Sequence, residues 1–411
     1  MKADVLVLGA GIVGVSVAIH LAKRGRSVVL LDRQGAGEGT SFGNAGLIQR
    51  EGVAPHLFPQ DWPTLLRYAR NQSTKMRFQW SALPRISPFL LRYWWASRAS
   101  SYRAVVEDYS KFIAHAVSEH APLIEEAGAG HLIRKGGWMQ VYRSEASFRA
   151  ARDQAETFER FGLEHQALDD GAIRQQEPGV TADLVGGVHW TQPWAISDPL
   201  ALTQAYLQLF ENSGGRFVVG DAMTLRSVAG GWEADSNDGA VAAKEIVVAL
   251  GPWSDRLLRK LGRRLPLGVK RGYHMHYGQR GNQTITMPIY DEAGFLLAPM
   301  DRGIRLTTGA EFALQDAPPN HGQLEAAEAV AALSYPIGDR LDTTPWMGSR
   351  PCTPDMKPII GPEGRDGLWL AIGHAHHGLT LGPATGRLLA EMMTGEIPFI
   401  DPAPYGVSRF G

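Results

Sequence analysis

The chain has 411 residues, 44% of them hydrophobic, which is enough for a sizeable core and indicates about two domains. Its formal net charge of −1 predicts no electrostatic attraction to nucleic acid or to an anionic membrane. The single cysteine, Cys352, excludes an internal disulfide and fits a reducing compartment.

No segment is typical of targeting or of membrane spanning. The first strand is expected to begin by Asp4, which leaves no room for a cleaved signal peptide. No apolar run is long enough to cross a bilayer. We therefore expect a cytoplasmic protein, with the cytoplasmic face of the inner membrane as the alternative.

Residues 4–33 predict a nucleotide-binding unit. The apolar run 5–8 is typical of a buried strand. Gly9 and Gly11 permit a tight turn close to a pyrophosphate, and Gly14 allows the next helix to pack against the strand. Because that helix begins with free N–H groups and a positive dipole end, it favours a phosphate there.

The end of this unit carries an acidic residue. Gly25 is expected to end the helix in a left-handed cap, and a second strand at 27–31 brings Asp32 to the edge of the sheet. A carboxylate there accepts hydrogen bonds from a ribose and disfavours a ribose phosphate, so NADP is not expected. The unit alone fits NAD and FAD equally.

A glycine-rich loop at 35–46 follows and contains Thr40, Ser41 and Asn44. Because it comes directly after the strand that ends at the ribose, we expect its backbone and hydroxyl groups to contact an extended cofactor. A plain surface loop is the alternative.

Residues 61–126 are expected to be mainly helical, divided by breaks at Pro84 and Pro88. Within them, the aromatic cluster 89–95 fits a helix buried in the core, or a surface patch that contacts a membrane or a partner. A strand at 138–142 and a helix at 145–161 come next.

From Ser197 the nucleotide-binding unit is expected to resume. Asp198 can cap a helix that begins at Pro199. Strands are expected at 217–219 and 245–251, with glycine-containing hairpin turns between them.

Residues 266–345 contain further strand-like runs, which we expect to form part of a separate antiparallel domain. The tail then repeats the opening arrangement, with a strand at 368–373, a glycine turn and a helix at 380–394. A second positive helix end suits the pyrimidine side of a flavin, which gains negative charge on reduction. Since NAD has no comparable charge, the tail favours FAD.

The opening unit, the segment 346–361 with its Gly-x-Arg-Pro motif, and the tail resemble the D-amino acid oxidase superfamily of FAD-dependent amine oxidoreductases. The chain is most similar to bacterial D-amino acid dehydrogenases, glycine oxidases and sarcosine oxidases, although the similarity is thin between about 53 and 192. The resemblance implies an α/β fold with an α+β second domain. In it, a Rossmann-like FAD-binding domain (1–50, 196–265 and 346–411) is interleaved with an antiparallel-sheet substrate domain and helical segments (about 51–195 and 266–345).

The resemblance also implies the chemistry. A D-amino acid, or a small cyclic or secondary amino acid, would lose a hydride to non-covalent FAD, and water would hydrolyse the imino acid to the 2-oxo acid. The electron acceptor would be a quinone, an electron-transfer partner or oxygen, with a peripheral membrane contact as a further expectation and the oligomeric state left open. The alternatives are an oxygen-using glycine or sarcosine-type amine oxidase, an NAD-dependent dehydrogenase, and a flavin-bound module without turnover.

Three residues are expected to act on the substrate. Arg350 falls where glycine-oxidase-like members clamp the substrate carboxylate, and its planar guanidinium suits that task. Tyr273 matches a segment that often supplies a substrate contact, and His376 stands where glycine oxidases tend to carry a second arginine. The residues expected to contact the cofactor are Gly9, Gly11, Ile12, Val13, Gly14, Asp32, Arg33, Thr40, Ser41, Asn44, Ala45, Gly46, Leu47, Ala222, Gly251, Trp253, Gly378, Leu379 and Thr380.

The histidines do not predict a metal site. Their spacing fits no standard zinc pattern, and no cysteine pair or acidic helix motif accompanies them: His274, His276, His374, His376 and His377. Covalent flavin attachment is not expected, because relatives that form such a bond carry the cysteine further before the Pro-Asp pair than Cys352 lies.

Overall fold

The computed structural model describes residues 1–411, which form three β-sheets and eleven α-helices. In chain order the strands are β1 (Lys2–Leu8), β2 (Val28–Asp32), β3 (Leu47–Ile48), β4 (Met76–Phe78), β5 (Ile133–Lys135), β6 (Trp138–Tyr142), β7 (His165–Asp169), β8 (Gly186–Trp190), β9 (Trp194–Ile196), β10 (Arg216–Val228), β11 (Gly231–Ser236), β12 (Gly239–Val248), β13 (Gly268–Gln279), β14 (Ile289–Asp291), β15 (Phe295–Met300), β16 (Gly303–Thr308), β17 (Ala310–Phe312), β18 (Ile337–Arg340), β19 (Trp346–Cys352), β20 (Ile359–Pro362) and β21 (Leu368–Ile372).

The helices separate these strands and cover the sheets. They are α1 (Ile12–Ala22), α2 (Trp62–Ala69), α3 (Leu83–Ala96), α4 (Ala99–Ile113), α5 (Ala116–Glu126), α6 (Glu145–Phe158), α7 (Asp170–Gln176), α8 (Pro199–Asn212), α9 (Ser254–Lys260), α10 (Gly322–Ser334) and α11 (Gly378–Thr394). No helix is both long and apolar enough to span a bilayer.

The first sheet has seven strands, and β1 lies between β2 and β12, parallel to both. Strand β10 is parallel to β2, and β21 is parallel to β12. Because parallel strands point the same way, the turns that follow β1, β2, β12 and β21 meet at one edge of the sheet. This arrangement confirms the predicted Rossmann-like α/β fold.

Helices α1 and α11 lie side by side with their N-termini toward that edge. A Cβ atom on Gly386 would lie 2.5 Å from the Ser16 carbonyl oxygen, and one on Gly382 would lie 3.2 Å from Ile12 Cγ1. The two glycines therefore allow the helices to approach closely. Since Ile12 faces Gly382 and Ser16 faces Gly386, the helices are parallel.

The second sheet has eleven strands, most of them antiparallel, with β13 paired to β16, β17, β18 and β19. The pairing of β19 with β13 runs from Cys352 opposite Gly268 to Trp346 opposite His274. Residues 346–352, which the sequence analysis assigned to the first domain, are therefore bonded to the second sheet. Strands β3, β9 and β5 form a small third sheet.

The predicted helical segment contains α2 to α5 and the short strand β4. Pro84 lies at the start of α3, as expected, but the predicted break at Pro88 is wrong because Pro88 lies inside this helix. Proline has no N–H to bond the carbonyl four residues earlier. That carbonyl, of Pro84, instead accepts a 3.1 Å hydrogen bond from the Ser87 hydroxyl.

The aromatic cluster 89–95 is divided between the core and the surface. Phe89 and Tyr93 are buried, whereas Leu91, Trp94 and Trp95 are exposed. One face of α3 therefore packs inward and the other presents tryptophans to solvent, while a contact with a membrane or a partner stays a prediction.

Several local predictions are confirmed. Gly25 has a left-handed φ of +76° just beyond the end of α1. The Asp198 carboxylate caps α8 by accepting hydrogen bonds from the N–H groups of Leu200 (2.9 Å) and Ala201 (3.0 Å).

Candidate active site

A cavity of about 690 Å³ lies where the turns at the edge of the first sheet face the second sheet. All three residues predicted to act on the substrate line this cavity, as do most of those predicted to contact the cofactor. The predicted residues that do not line it are Gly14, Gly46 and Thr380. The structure thus brings together residues from both ends of the chain.

The glycine turn after β1 leaves no space for side chains. Gly9 has a φ of +107°, and a Cβ atom there would lie 2.4 Å from the Ala249 carbonyl oxygen. A Cβ atom on Gly14 would lie 1.8 Å from the Gly9 carbonyl oxygen, so Gly14 packs α1 onto the turn behind the cavity wall. The turn can therefore approach a bound group through its backbone alone.

Two helix N-termini supply hydrogen-bond donors to this wall. The N–H of Ile12 donates to Ser41 Oγ (3.0 Å), whereas the N–H groups of Gly11 and Val13 have no acceptor within the chain. At the start of α11, the N–H groups of Gly378 and Leu379 also have no acceptor. Free donors at positive helix ends favour an anionic ligand such as a pyrophosphate.

The end of β2 offers an acceptor to the same cavity. Asp32 Oδ2 accepts from the N–H of Ala10 (2.7 Å) and Oδ1 accepts from the N–H of Gln34 (3.2 Å). A carboxylate has about four lone-pair positions, so it can also accept from a ligand's hydroxyl groups. Beside it, the Arg33 guanidinium lies 4.5 Å from the centre of the Trp253 ring.

The glycine-rich loop is fixed by an arginine that the sequence analysis missed. Arg305, buried in β16, donates to the carbonyls of Phe42 (3.2 Å) and Asn44 (2.5 Å) and, through Nε, to His276 (3.0 Å). Burial lowers the pKa of Arg305 to about 10, so it remains a cation. In the sequence, the position of Arg305 within the otherwise uncharged strand-like run 303–308 was the feature that could have indicated this role.

Gly46 and Thr380 support the site from outside the cavity wall. Gly46 has a φ of +73°, and a Cβ atom there would lie 2.4 Å from the Ile196 carbonyl oxygen. The buried Thr380 hydroxyl donates to the Leu47 carbonyl (3.1 Å) and accepts from the N–H of Gln49 (3.2 Å). Both residues therefore fix β3 rather than face a ligand.

Arg350 is a cation without a carboxylate partner. It extends from β19 over Gly272 and donates to the carbonyls of Gly309 (3.0 Å) and Thr308 (3.3 Å). Burial lowers the pKa of its guanidinium, but arginine stays protonated in proteins. A partly buried cation in a cavity wall, with no carboxylate partner, favours an anionic ligand.

His376 lies in the same corner of the cavity. Its ring centre is 4.9 Å from that of His56 and 3.8 Å from that of His377. Burial holds the pKa of His376 well below its ordinary value, and the nearby cations Arg350 and Lys270 lower it further. The imidazole is therefore neutral and does not serve as the second cation of glycine oxidases.

Tyr273 lines the cavity, but its hydroxyl is bonded within the protein. Its hydroxyl donates to Glu311 Oε2 (2.6 Å) and accepts from the N–H of Asn320 (2.9 Å) and from Arg271 Nη2 (3.1 Å). Arg271 and Glu311 form a buried ion pair of 2.7 Å. Since this network occupies the hydroxyl, the structure argues against a substrate contact through it.

Among the ionisable residues that line the cavity, Glu51 and Lys270 were not predicted. Glu51 Oε1 accepts from Trp138 Nε1 (2.9 Å) and Gln49 Nε2 (2.9 Å), while its Oε2 has no partner. Burial raises the pKa of this carboxyl to about 7. Lys270 extends from β13 into the cavity wall. Neither residue stands in a motif, so only their burial in the fold distinguishes them.

No group of three or more His, Cys, Asp or Glu side chains is placed to hold a metal ion. The histidines of the tail bond instead to neighbouring side chains. His377 Nδ1 lies 2.6 Å from the Tyr109 hydroxyl, and His374 Nε2 lies 2.9 Å from the Thr385 hydroxyl.

Comparison with known proteins identifies the family to which the chain belongs. Residues 4–392 match the DAO family, described as FAD dependent oxidoreductase. The chain is 29% identical over 422 residues to a D-amino-acid oxidase from Bradyrhizobium diazoefficiens, covering 99% of this chain and 98% of that protein. It is 30% identical over 430 residues to a D-amino acid dehydrogenase from Cereibacter sphaeroides, covering 99% and 95%. The crystal structure of glycine oxidase from Geobacillus kaustophilus is similar in fold, with a TM-score of 0.74, 22% identity and 99% of each chain covered.

Proposed function

The chain belongs to the DAO family of FAD-dependent oxidoreductases, and from that premise we propose that it oxidises D-amino acids to imino acids, which water hydrolyses to 2-oxo acids. The chain is an enzyme that uses FAD and acts on amino acids. The D configuration and the products belong to the proposal. The observation that carries it is Arg350, a partly buried cation in the cavity wall without a carboxylate partner.

The residues around the cavity fit FAD. The N–H groups at Gly11, Val13 and Gly378 would face its phosphates or the flavin ring, and Asp32 would accept from ribose hydroxyls. When bound, FAD supplies the acceptor for the two electrons and the hydrogen that leave the substrate. The cofactor would be held non-covalently, since burial raises the pKa of the Cys352 thiol and disfavours a thiolate.

The side chains of the corner would bind and orient the substrate. Arg350 would pair with the α-carboxylate and so fix the position of the α-carbon, which is the proximity contribution to the rate. The substrate must lose a proton from its ammonium group before the C=N bond forms. Glu51 Oε2, which has no partner in the cavity wall, is the acceptor we assign to that proton. His376, whose pKa is well below its ordinary value, would be neutral and so would not repel the ammonium group.

The product test is direct. The purified enzyme would be incubated with D-alanine and a dye as electron acceptor, and pyruvate and ammonia would be measured. We expect one of each per reduced dye molecule that accepts two electrons. Turnover of glycine and sarcosine alone would favour the amine oxidase alternative, and no product from any amine would favour the module without turnover.

A surface beside the cavity supports a membrane contact. Between residues 62 and 106 the sequence has eight cations and no Asp or Glu, and none of these cations forms an ion pair. The basic aromatic surface consists of exposed Trp62, Leu66, Arg67, Arg70, Lys75, Trp80, Arg85, Leu91, Arg92, Trp94, Trp95 and Arg103. The net charge of −1 conceals this local excess, so the expectation drawn from net charge does not apply here.

The elements of this surface lie together. Gln60 Nε2 donates to the Trp94 carbonyl (3.0 Å), which places the start of α2 beside the end of α3. Tryptophan and leucine among cations are typical of segments that lie on an anionic bilayer. Because Tyr68 and Met76 of the same segment line the cavity, we assign a membrane quinone as electron acceptor.

A further inference from the structure

Lys270 is a second cation of the cavity wall, and unlike Arg350 it is buried. It is 8% exposed and lines the cavity. Its Nζ donates to the Tyr93 hydroxyl (2.8 Å) and lies 4.1 Å from the centre of the Tyr93 ring and 3.7 Å from Met356 Sδ. It forms no ion pair, although a buried amine is ordinarily paired with a carboxylate.

The strand register places the two cations directly opposite each other. Lys270 of β13 pairs with Arg350 of β19 in an antiparallel ladder, so both side chains leave the same face of the sheet. Like charges directly opposite each other destabilise a sheet. Here Lys270 is buried and Arg350 is partly buried, so solvent screens their repulsion less than it would at the surface.

The acidic groups of the cavity do not neutralise this pair. Asp32 bonds to the glycine turn, Asp221 accepts from the N–H of Met223, and Glu51 bonds to Trp138 and to Gln49. Burial lowers the pKa of Lys270 to about 8, which leaves the amine mainly protonated at pH 7. The corner therefore carries two positive charges that a ligand must balance.

We infer that Lys270 and Arg350 form a two-cation site that selects a dicarboxylic amino acid, such as D-glutamate or D-aspartate. Arg350 holds the α-carboxylate and Lys270 holds the side-chain carboxylate. The Tyr93 hydroxyl positions the amine of Lys270. When no anion is bound, the rings of Tyr93 and Phe312 stabilise the ammonium charge through cation–π interactions. This inference rests on the proposed oxidation of D-amino acids.

The kinetic test compares D-glutamate with D-glutamine, which has the same shape and no charge. We expect the wild type to have a higher kcat/KM for D-glutamate. Lys270→Met should lower the ratio of the two kcat/KM values about 10- to 100-fold, the scale of a hydrogen bond between charged groups. Lys270→Arg should retain most of the ratio because it keeps the charge. Lys111→Met, at an exposed lysine of α4, is the matched control and should leave the ratio as in the wild type.

A binding test separates this inference from the proposed function. Calorimetry on the holoenzyme would compare glutarate with pentanoate, and glutarate should bind about 10-fold more tightly or better. Equal binding of the two acids, or a ratio unchanged in Lys270→Met, would overturn the two-cation site. If neutral D-amino acids are oxidised and D-glutamate is not, the site fails and the proposed function stands. If no D-amino acid is oxidised while glutarate is preferred, the proposed function fails and the site stands.

Discussion

The carboxylate of Asp32 accepts a 2.7 Å hydrogen bond from the backbone N–H of Ala10. This hydrogen bond joins the end of β2 to the glycine turn after β1, and residues of both segments line the cavity. The same side chain can fix the turn and bind a ribose, since a carboxylate accepts several hydrogen bonds. One substitution should therefore affect cofactor binding in two ways.

Asp32→Ala should weaken FAD binding by about 1.5–3 kcal/mol, the scale of a hydrogen bond to a charged group. The measurement is a titration of the apoprotein with FAD, followed by flavin fluorescence. Asp153→Ala, at an exposed aspartate of α6, is the control and should bind FAD as the wild type does. An unchanged Kd for Asp32→Ala would remove this residue from the cofactor site.

Arg350→Ala should leave the flavin spectrum intact and lower kcat/KM for amino acids. The loss of transition-state stabilisation should be roughly 2–5 kcal/mol, the usual effect of removing one partner of a buried charge pair. Arg350→Lys should retain only part of the wild-type kcat/KM, because lysine keeps the charge and lacks the planar guanidinium. Steady-state kinetics with an amino acid and with the matching decarboxylated amine measure both effects.

The amine serves as the internal control for Arg350. It lacks the carboxylate, so it should be a poor substrate for the wild type and nearly insensitive to the substitution. Normal efficiency of Arg350→Ala toward amino acids would refute the assignment. A loss of equal size for the amine would indicate general damage to the cavity.

The stability of the enzyme should depend on pH through Glu51. Burial raises its folded-state pKa from 4.5 to about 7, so between these values the folded protein holds a proton that the unfolded chain releases. The contribution of Glu51 to folding stability is therefore fully present below pH 4.5, the pKa of the unfolded chain, and is lost as pH rises through 7.

Glu51→Gln removes the charge and keeps an acceptor for Trp138 Nε1. The free energy of unfolding should therefore be about 1–3 kcal/mol higher than that of the wild type at pH 8 and about equal at pH 5. Urea unfolding of the holoenzyme at both pH values measures this difference, with Glu125→Gln at an exposed site of α5 as the control. A difference independent of pH would show that Glu51 is not the titrating group.

The basic aromatic surface should bind vesicles of 30% phosphatidylglycerol and 70% phosphatidylcholine but not vesicles of phosphatidylcholine alone. Leu66→Ser should weaken sedimentation with these vesicles about 10-fold or more, since a buried leucine contributes about 1.5–3 kcal/mol. Arg92→Gln should weaken it about fivefold, the effect of about 1 kcal/mol for one cation near an anionic bilayer. Leu333→Ser, at the 83% exposed Leu333 of α10, is the matched control. Sedimentation equal for both lipid compositions, or a dimer that buries this surface, would contradict the membrane contact.

Local motifs account for what the sequence predicted well. Only a few residue types adopt a left-handed backbone or cap a helix. The roles of Gly9, Gly25 and Asp198 can therefore be predicted without tertiary structure. The Rossmann-like fold follows from several such signals in one order. The predicted break at Pro88 is wrong because the Ser87 hydroxyl bonds the carbonyl that a proline leaves free.

The ionisable residues of the site could not be predicted in the same way. Lys270 is buried because Tyr93, 177 positions away in the sequence, lies against it, and Glu51 is bonded to Trp138, 87 positions away. The occupation of the Tyr273 hydroxyl by Glu311 also depends on a contact between separate strands. Sequence patterns report periodicity within an element, whereas these environments arise between elements.

The central claim is that the cavity oxidises the D enantiomer of an amino acid, and anaerobic flavin bleaching tests it most directly. Purified holoenzyme would be mixed without oxygen with D- or L-glutamate and with D- or L-alanine. A separate sample would be precipitated with acid, and it should release all its flavin to the supernatant, as expected for non-covalent FAD. The account predicts that the D enantiomers abolish the visible flavin band and that the L enantiomers leave it intact. Bleaching by the L enantiomers alone, or by none of the four, would contradict it.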